Sequence, residues 1–503
     1  MGQGKLHWWE RRVTVVALAL VAMIPLLWPT IPPLVDLPGH MGRFRVELDG
    51  DGSTLRQFYN FHWALIGNLG VDLLIVPMAK IFGLELGVKL IVMAIPALTV
   101  VGMLWIAREV HGRIPPTALF ALPLSYNVTF LFGFVNFSLA MALALLAFGL
   151  WLRLARQGRF RLRAVVFLAI APIIWVAHTF GLGFLGVLAF SAEIVRQRDA
   201  GHDWPGSFVK AVLNCLMLAP PIIVMLAVGD GSASGGTGDW FNWVSKLQWI
   251  MLILHDRWHL LDAISLLIMV AMILFAIFDR RLCFARQLVV SALMLLVAFI
   301  ILPRVMLGGS FADMRLAPFG LAVAILAIGY PERTDPRFLN ALAVAGLIFC
   351  GARLALTTAS LGIISARQER ALAALDHLPV GSRMIAFTGR SWTNRMEHLA
   401  GMAIVRRRAF SNDQWNAAGM KLMSVTKNDA SGFDSDPSQT VIANHTDEGN
   451  SVIPIDMALS HFPKASFDYL WLVNPPAYDV RLTKGMTPVW RDGNDALFRI
   501  DHR

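Results

Sequence analysis

His62 to Gly83, HWALIGNLGVDLLIVPMAKIFG, is the stretch on which the fold turns. A membrane crossing takes roughly 20 apolar residues to span ~30 Å of hydrocarbon. This stretch is apolar enough, yet it carries Asn68, Asp72 and Lys80. If it crosses, Arg153, Arg156, Arg159, Arg161 and Arg163 all fall outside. If it lies along the outer interface, they fall inside, followed by Arg196 and Arg198 and then Arg280, Arg281 and Arg286, with Arg108 and Arg113 inside before them. Short inner loops collect Lys and Arg, so the second assignment repairs every later loop. The stretch is therefore read as an interfacial amphipathic helix.

Working outward, the composition is that of a membrane protein. Of 503 residues, 56% are hydrophobic and 16% charged, against roughly 25% charged in a soluble chain. The mean hydropathy is +0.58. The net charge of +10 comes from arginines in short loops, with no aromatic-interleaved basic patch of the kind that grips nucleic acid. Cys215, Cys283 and Cys350 lie in or beside apolar segments and form no disulfide framework or zinc spacing. The run Val13–Ile31 follows Lys5, Arg11 and Arg12 and lacks a small-residue cleavage site, so it reads as a retained first span.

The predicted spans are 13–31, 86–107, 115–131, 134–152, 163–178, 180–196, 208–228, 258–278, 286–303, 316–330 and 338–360, eleven in all. The expected fold is an α-helical polytopic membrane protein of about 11 transmembrane helices with interfacial helices. A small C-terminal extracytoplasmic α/β domain follows. The membrane module is 1–362, with the first outer loop and interfacial helix at 32–85, and the soluble domain is 363–503. An odd number of spans puts a cytoplasmic N terminus opposite that domain. Gly229–Gly238 reads as a flexible outer loop, and the Trp-rich Trp240–Trp258 as a segment resting in the interface. In the soluble domain, Met384–Phe387 and Tyr469–Val473 read as strands and Met396–Arg406 as a helix. Asp492-Gly493-Asn494 reads as a hairpin turn.

Ionisable groups near membrane depth default to function. Asp36 sits just past the first span, in Pro32-Pro33-Leu34-Val35-Asp36-Leu37-Pro38-Gly39-His40. A helix starting near Pro38 displays His40, Arg43 and Glu47 on one face; the plainer reading of Asp36 is a helix cap. Asp72, with Asn68 one turn before it, belongs to the interfacial helix, where the plainer reading is a water-facing stripe. His178 ends the fifth span. Arg304, Asp313 and Arg315 bracket the outer loop between the ninth and tenth spans. Two arginines there suit an anionic head group, unless Asp313 and Arg315 merely pair with each other. Asn127 and Asn136 flank the turn Phe132-Gly133-Phe134, where hydrogen bonds between helices are the plainer reading. Glu448 and Asp447 look like solvated surface, and no ionisable cluster converges in Ser365–Arg503. That domain is read as supporting acceptor binding or stability. No phosphate-cradling Gly loop, zinc signature or nucleophile elbow is present.

This layout resembles the GT-C superfamily of membrane glycosyltransferases. The likeness lies in Asp36 in the first outer loop, the following segment His62–Gly83, the Asp36-x-x-x-His40 spacing and the Gly133-Phe134-x-Asn136-Phe137 turn. It covers about residues 1–360. The chain departs from the oligosaccharyltransferases in lacking a WWD-like motif, and from the protein mannosyltransferases in lacking a second acidic residue directly beside Asp36. The resemblance implies an inverting glycosyltransferase of the bacterial inner membrane. It would move a sugar from a polyprenyl-phosphate donor, undecaprenyl phosphate in a bacterium, to an envelope acceptor (lipid, glycan or protein) on the periplasmic face. It further implies Asp36 as catalytic base. His40, Arg43, Asp72, His178, Arg304, Asp313 and Arg315 are then substrate- or phosphate-binding candidates, with Asn68 and Asn136 secondary. No cofactor is obligatory, and a divalent metal is possible but not indicated. The alternatives are another envelope-glycan enzyme, such as an O-antigen ligase or polymerase, and a lipid or sugar transporter. The short loop Pro303–Arg315 counts against the first; the absence of repeats and the 139-residue tail count against the second.

Overall fold

A computed structural model describes residues 6–228, 236–306, 308–391, 393–416, 422–427, 429–444 and 452–502. Most of the Gly/Ser-rich stretch and both Asp447 and Glu448 lie outside them. The chain divides into two units. The first holds Met1–Trp28, Leu65–Val71 and Ile91–Ser360; the second holds Pro29–Ala64, Asp72–Leu90 and Leu361–Arg503.

In the first unit, apolar runs become helices because every backbone polar group is satisfied within the segment. Among the described residues, six helices are long and apolar enough to cross a membrane: Leu84–His111, Val135–Arg156, Phe160–Ala177, Thr179–Asp199, His259–Phe278 and Pro336–His377. A seventh candidate is broken: Trp204–Leu218 and Pro220–Leu226 meet at 71°, where Pro220 and Pro221 remove two N–H donors.

The remaining expected spans are helical but short. Arg12–Leu26 and Arg286–Ile301 fall below 18 residues. The stretch read as 115–131 is instead an 11-residue 3₁₀ helix, Pro116–Tyr126, then a single α-turn, Val128–Leu131. Pro116 and Pro123 deny it the regular α-ladder. Likewise 316–330 contracts to the helix Ala317–Leu326, after which Ile328–Gly329 pairs with Cys283–Phe284. Fully buried Trp151, Phe137, Phe148, Phe167 and Phe184 anchor the core of this unit.

The opening stretch is only partly the helix expected. Tyr59–Phe61 is a strand paired antiparallel with Met423–Val425, and the helix begins at Gly70 and runs to Phe82. Gly67 interrupts the pattern before it, and glycine is a poor helix interior residue.

The second unit contains a six-stranded mixed sheet, ordered Ile453–Pro454, Thr440–Ile442, Met384–Gly389, Tyr469–Val473, Asp495–Ile500, Met486–Asp492. The first three neighbouring pairs are parallel and the last two antiparallel. Met384–Gly389 is buried along its whole length, as a central strand flanked on both sides requires. Gly493 turns the final hairpin with φ +58°, as the Asp-Gly-Asn signal predicts. The expected helix at 396–406 is shorter, Gly401–Arg407.

Candidate functional site

Asp36 opens the helix Leu37–Asp49 of the second unit, and Pro38 sits in its first turn, where a missing N–H is tolerated. Asp36 occupies the cap position, but its carboxylate makes no capping hydrogen bond, so capping does not account for it. Spacings of four, three and four put Asp36, His40, Arg43 and Glu47 on one face.

The helix is held against Gly401–Arg407 by the absence of side chains. A Cβ on Gly39 would lie 2.8 Å from Trp415 Cη2, and one on Gly401 would lie 2.5 Å from the Pro38 carbonyl and 2.7 Å from Asp413 Oδ2. This close approach brings the face of Asp36 up to residues of the C-terminal segment.

Those residues are Ser411–Trp415. Asn412 pairs its side-chain amide with both backbone groups of Ala386, at 2.9 and 3.2 Å. The Tyr59 hydroxyl donates to the Ser411 carbonyl and accepts from its N–H, both at 2.8 Å. Fastened at these two points, the segment aims Asp413 at His398, with Nδ1 to Oδ1 at 3.0 Å. The other ring nitrogen, Nε2, lies 3.9 Å from Asp36 Oδ1. Asp413 is fully buried and the Asp36 side chain is 13% exposed. Burial opposes a charge on His398, but Asp413, Asp436 and Asp36 outweigh it and push its pKa up to about 10.

Trp415 packs against both imidazoles, its ring centroid 4.9 Å from His40 and 4.4 Å from His398. Burial first, then Arg43 and His398, hold His40 well below its ordinary pKa, hence neutral. Further along, Arg43 meets Asp72 at 2.7 Å, and Asp72 is fully buried. Asp72 is therefore an ion-pair partner rather than part of a water-facing stripe. Glu47 lies one turn beyond Arg43. Burial and the nearby Asp72, against the pull of Arg43, push its carboxyl up to about 8.

The other expected site residues belong to the first unit. His178 caps the helix Thr179–Asp199: its Nδ1 accepts the Phe180 N–H at 3.1 Å. Its Nε2 lies 3.2 Å from Arg315 Nη1. Arg315 stands over the rings of Phe134, Phe137 and Phe180, at 4.5, 5.6 and 5.5 Å. Asp313 takes a different partner from the one considered. The buried Lys246 ammonium lies 3.4 Å from its Oδ2 and donates to the carbonyls of Phe299 and Leu302, both at 2.8 Å. Arg304 donates to Ser245 Oγ at 3.2 Å. Asn136 binds the Val71 N–H at 2.6 Å and the Asn68 carbonyl at 2.8 Å. That is a structural tie, and it engages Asn68 through its backbone.

Sequence reasoning missed His398, Asp413, Trp415 and Lys246. It also read no converging ionisable cluster in the C-terminal region, which these contacts correct. The buried Arg353–Asp262 pair, at 2.7 Å inside the first unit, was missed too; two lone charges in apolar runs were its signal. Among the described residues no group of three or more His, Cys, Asp or Glu is arranged to hold a metal ion.

No protein-family model matches the chain, and no curated protein matches it. Among solved structures, the crystal structure of ArnT from Cupriavidus metallidurans bound to undecaprenyl phosphate is similar, at 13% identity and a TM-score of 0.48 over 97% of each chain.

Proposed function

We propose that the chain is a membrane glycosyltransferase that moves a sugar from a polyprenyl-phosphate donor to a hydroxyl-bearing envelope acceptor at the periplasmic face. The observation that carries this reading is Asp36. Its carboxylate is partly exposed at a helix entrance, is not used as a cap, and faces a histidine held by a second carboxylate.

The reaction needs a base for the acceptor hydroxyl and cations for the departing phosphate. Asp36 takes the hydroxyl proton. The acceptor oxygen forms a bond to the anomeric carbon as the bond from that carbon to the phosphate oxygen breaks. The electron pair leaves with the polyprenyl phosphate, and a single displacement inverts the anomeric centre.

Within the first unit, taken by itself, Arg315 and His178 are the candidates for binding an anionic oxygen. The Phe180 N–H occupies His178 Nδ1, so in the neutral ring Nε2 carries the proton. That N–H and the Arg315 guanidinium are both donors, 3.2 Å apart. Two facing donors are satisfied together by one anionic oxygen. Arg43 is the poorer candidate because Asp72 already holds it.

The test uses the purified protein in lipid nanodiscs, a panel of undecaprenyl-phosphate-linked sugars, and membrane extract supplying acceptors. Release of undecaprenyl phosphate is followed for the wild type and for Arg315→Gln. The expected result is turnover of at least one donor, with its KM raised by roughly tenfold or more in the variant, the scale of a lost charged hydrogen bond. Turnover of none, with the protein folded, contradicts the reading.

A further inference from the structure

We propose that His398, fixed by Asp413, is the positioning residue for Asp36: it holds that carboxylate ionised and oriented so that one oxygen stays turned toward the acceptor. This rests on the reading of Asp36 as the base and adds a part for the C-terminal segment.

The geometry has three elements. Asp413 takes the Nδ1 side of the ring at 3.0 Å and is itself fully buried, which leaves Nε2 directed at Asp36. The ring cannot swing away, because Trp415 packs on it with centroids 4.4 Å apart. The backbone also commits to this placement. His398 has φ +60° and Arg395, three residues before, has φ +47°, a left-handed conformation costly for residues with a side chain. Such strain persists only where its surroundings enforce it. Here the buried Arg395 guanidinium donates to the Pro33 carbonyl at 3.2 Å, and the Gln368 amide donates to the Arg395 carbonyl at 2.6 Å.

Among the described residues, the charged and titratable groups facing His398 include Asp413, Asp436 and Asp36, with His40 across Trp415 and Glu397 next to it in the chain. Asp413, Asp436 and Asp36 favour the imidazolium. Neutral His40 does not oppose it at physiological pH. Glu397 is pushed up by burial, although its Oε1 accepts the Ser391 N–H at 2.7 Å. An imidazolium between two carboxylates donates through both nitrogens. Asp413 receives one of those protons and Asp36 faces the other. In this state Asp36 remains a base. Once it takes the acceptor proton, the cation beside it favours passing that proton on, which resets the site for the next cycle.

The test reads the ionisation of Asp36 without any substrate. Dicyclohexylcarbodiimide reacts with protonated carboxyl groups. Its incorporation into Asp36 and Glu47 is followed by mass spectrometry as a function of pH, in full-length protein in nanodiscs; tryptic cleavage after Arg43 and Arg45 separates the two. In His398→Gln the midpoint for Asp36 labelling is expected to move up by about 1–3 pH units, the effect of removing an opposite charge a few ångström away. The midpoint for Glu47 stays put. Asp413→Asn is expected to move the Asp36 midpoint in the same direction by less. An unmoved Asp36 midpoint in His398→Gln overturns the proposal. Loss of the fold in both variants also counts against it, since a positioning residue leaves the scaffold standing. Because labelling needs no turnover, a failure of the transfer reaction is a separate result that bears on the parent reading alone.

Discussion

Asp36 and its helix face were legible in the sequence; what confronts them was not. Pro38, the spacing of His40, Arg43 and Glu47, and the position after the first apolar run are local signals. Ser411-Asn412-Asp413-Gln414-Trp415 has four polar residues in five and carries no local signal of burial. Yet Ser411 to Gln414 are fully buried, paid for by hydrogen bonds to Ala386 and Tyr59 that span long sequence separations. No pattern within the segment announces such partners. The same holds for Lys246, a lone cation whose acceptors lie more than fifty residues away. A prediction at this scale concerns Glu47. Its carboxyl is pushed up to about 8, above its value in the unfolded chain. The folded state therefore holds a proton that the unfolded state releases, and stability falls as pH rises from the ordinary carboxylate range toward 8. Glu47→Gln is expected to remove this loss. Its melting temperature should exceed that of the wild type by a few degrees at pH 8, the scale of about 1 kcal/mol, and approach it at pH 5. Equal melting temperatures at pH 8 would count against a protonated Glu47.

At the scale of elements, helices with a sustained apolar run were readable to within a few residues, as at 134–152 against the observed Val135–Arg156. The failures are proline and glycine positions. Pro116 and Pro123 turned an expected span into 3₁₀ helix, and Gly67 lies just ahead of the shortened interfacial helix. Hydropathy alone does not register either effect, because those residues act on the backbone ladder. Glycine also matters where helices approach. Gly39→Ala or Gly401→Ala forces a Cβ into Trp415 or into the Pro38 carbonyl and Asp413, which should cost about 1–3 kcal/mol as overpacking. Gly52→Ala meets nothing within 4 Å and should be close to neutral. Thermal melts of the three variants check this, and equal losses in all three would contradict the packing argument. In the first unit, Asn136→Ala leaves the Val71 N–H and the Asn68 carbonyl without their side-chain partner. The expected destabilisation is again about 1–3 kcal/mol, read from the same melts.

For the whole molecule, the arginine distribution predicts that Gln157 faces the cytoplasm and the C-terminal segment faces the other side. In a background with Cys215, Cys283 and Cys350 replaced by alanine, a cysteine at Gln157 should resist an impermeant thiol reagent in intact cells. One at the exposed Asp501 should be labelled. Labelling at Gln157 would overturn the orientation. Two strands of the C-terminal sheet, Met384–Gly389 and Tyr469–Val473, and its last hairpin were legible from local signals, whereas the short strands Thr440–Ile442 and Ile453–Pro454 were not. The division of the chain into units was also less legible. The second unit draws in Pro29–Ala64 and Asp72–Leu90, and its boundary at Leu361 falls inside the helix Pro336–Leu372 rather than in a linker. The proposed role of Asp36 as the base of a sugar transfer from a polyprenyl-phosphate donor is tested at the same scale. Asp36→Asn keeps the size of the side chain and removes its basicity, a loss worth about 10²–10⁴-fold in rate, roughly 3–5 kcal/mol of barrier. The direct measurement sets transfer from the donor that the wild type uses beside binding of that donor, in the wild type and Asp36→Asn. Transfer is expected to fall by that factor while the donor Kd stays within a few-fold. Transfer at near-normal rate in Asp36→Asn contradicts that role.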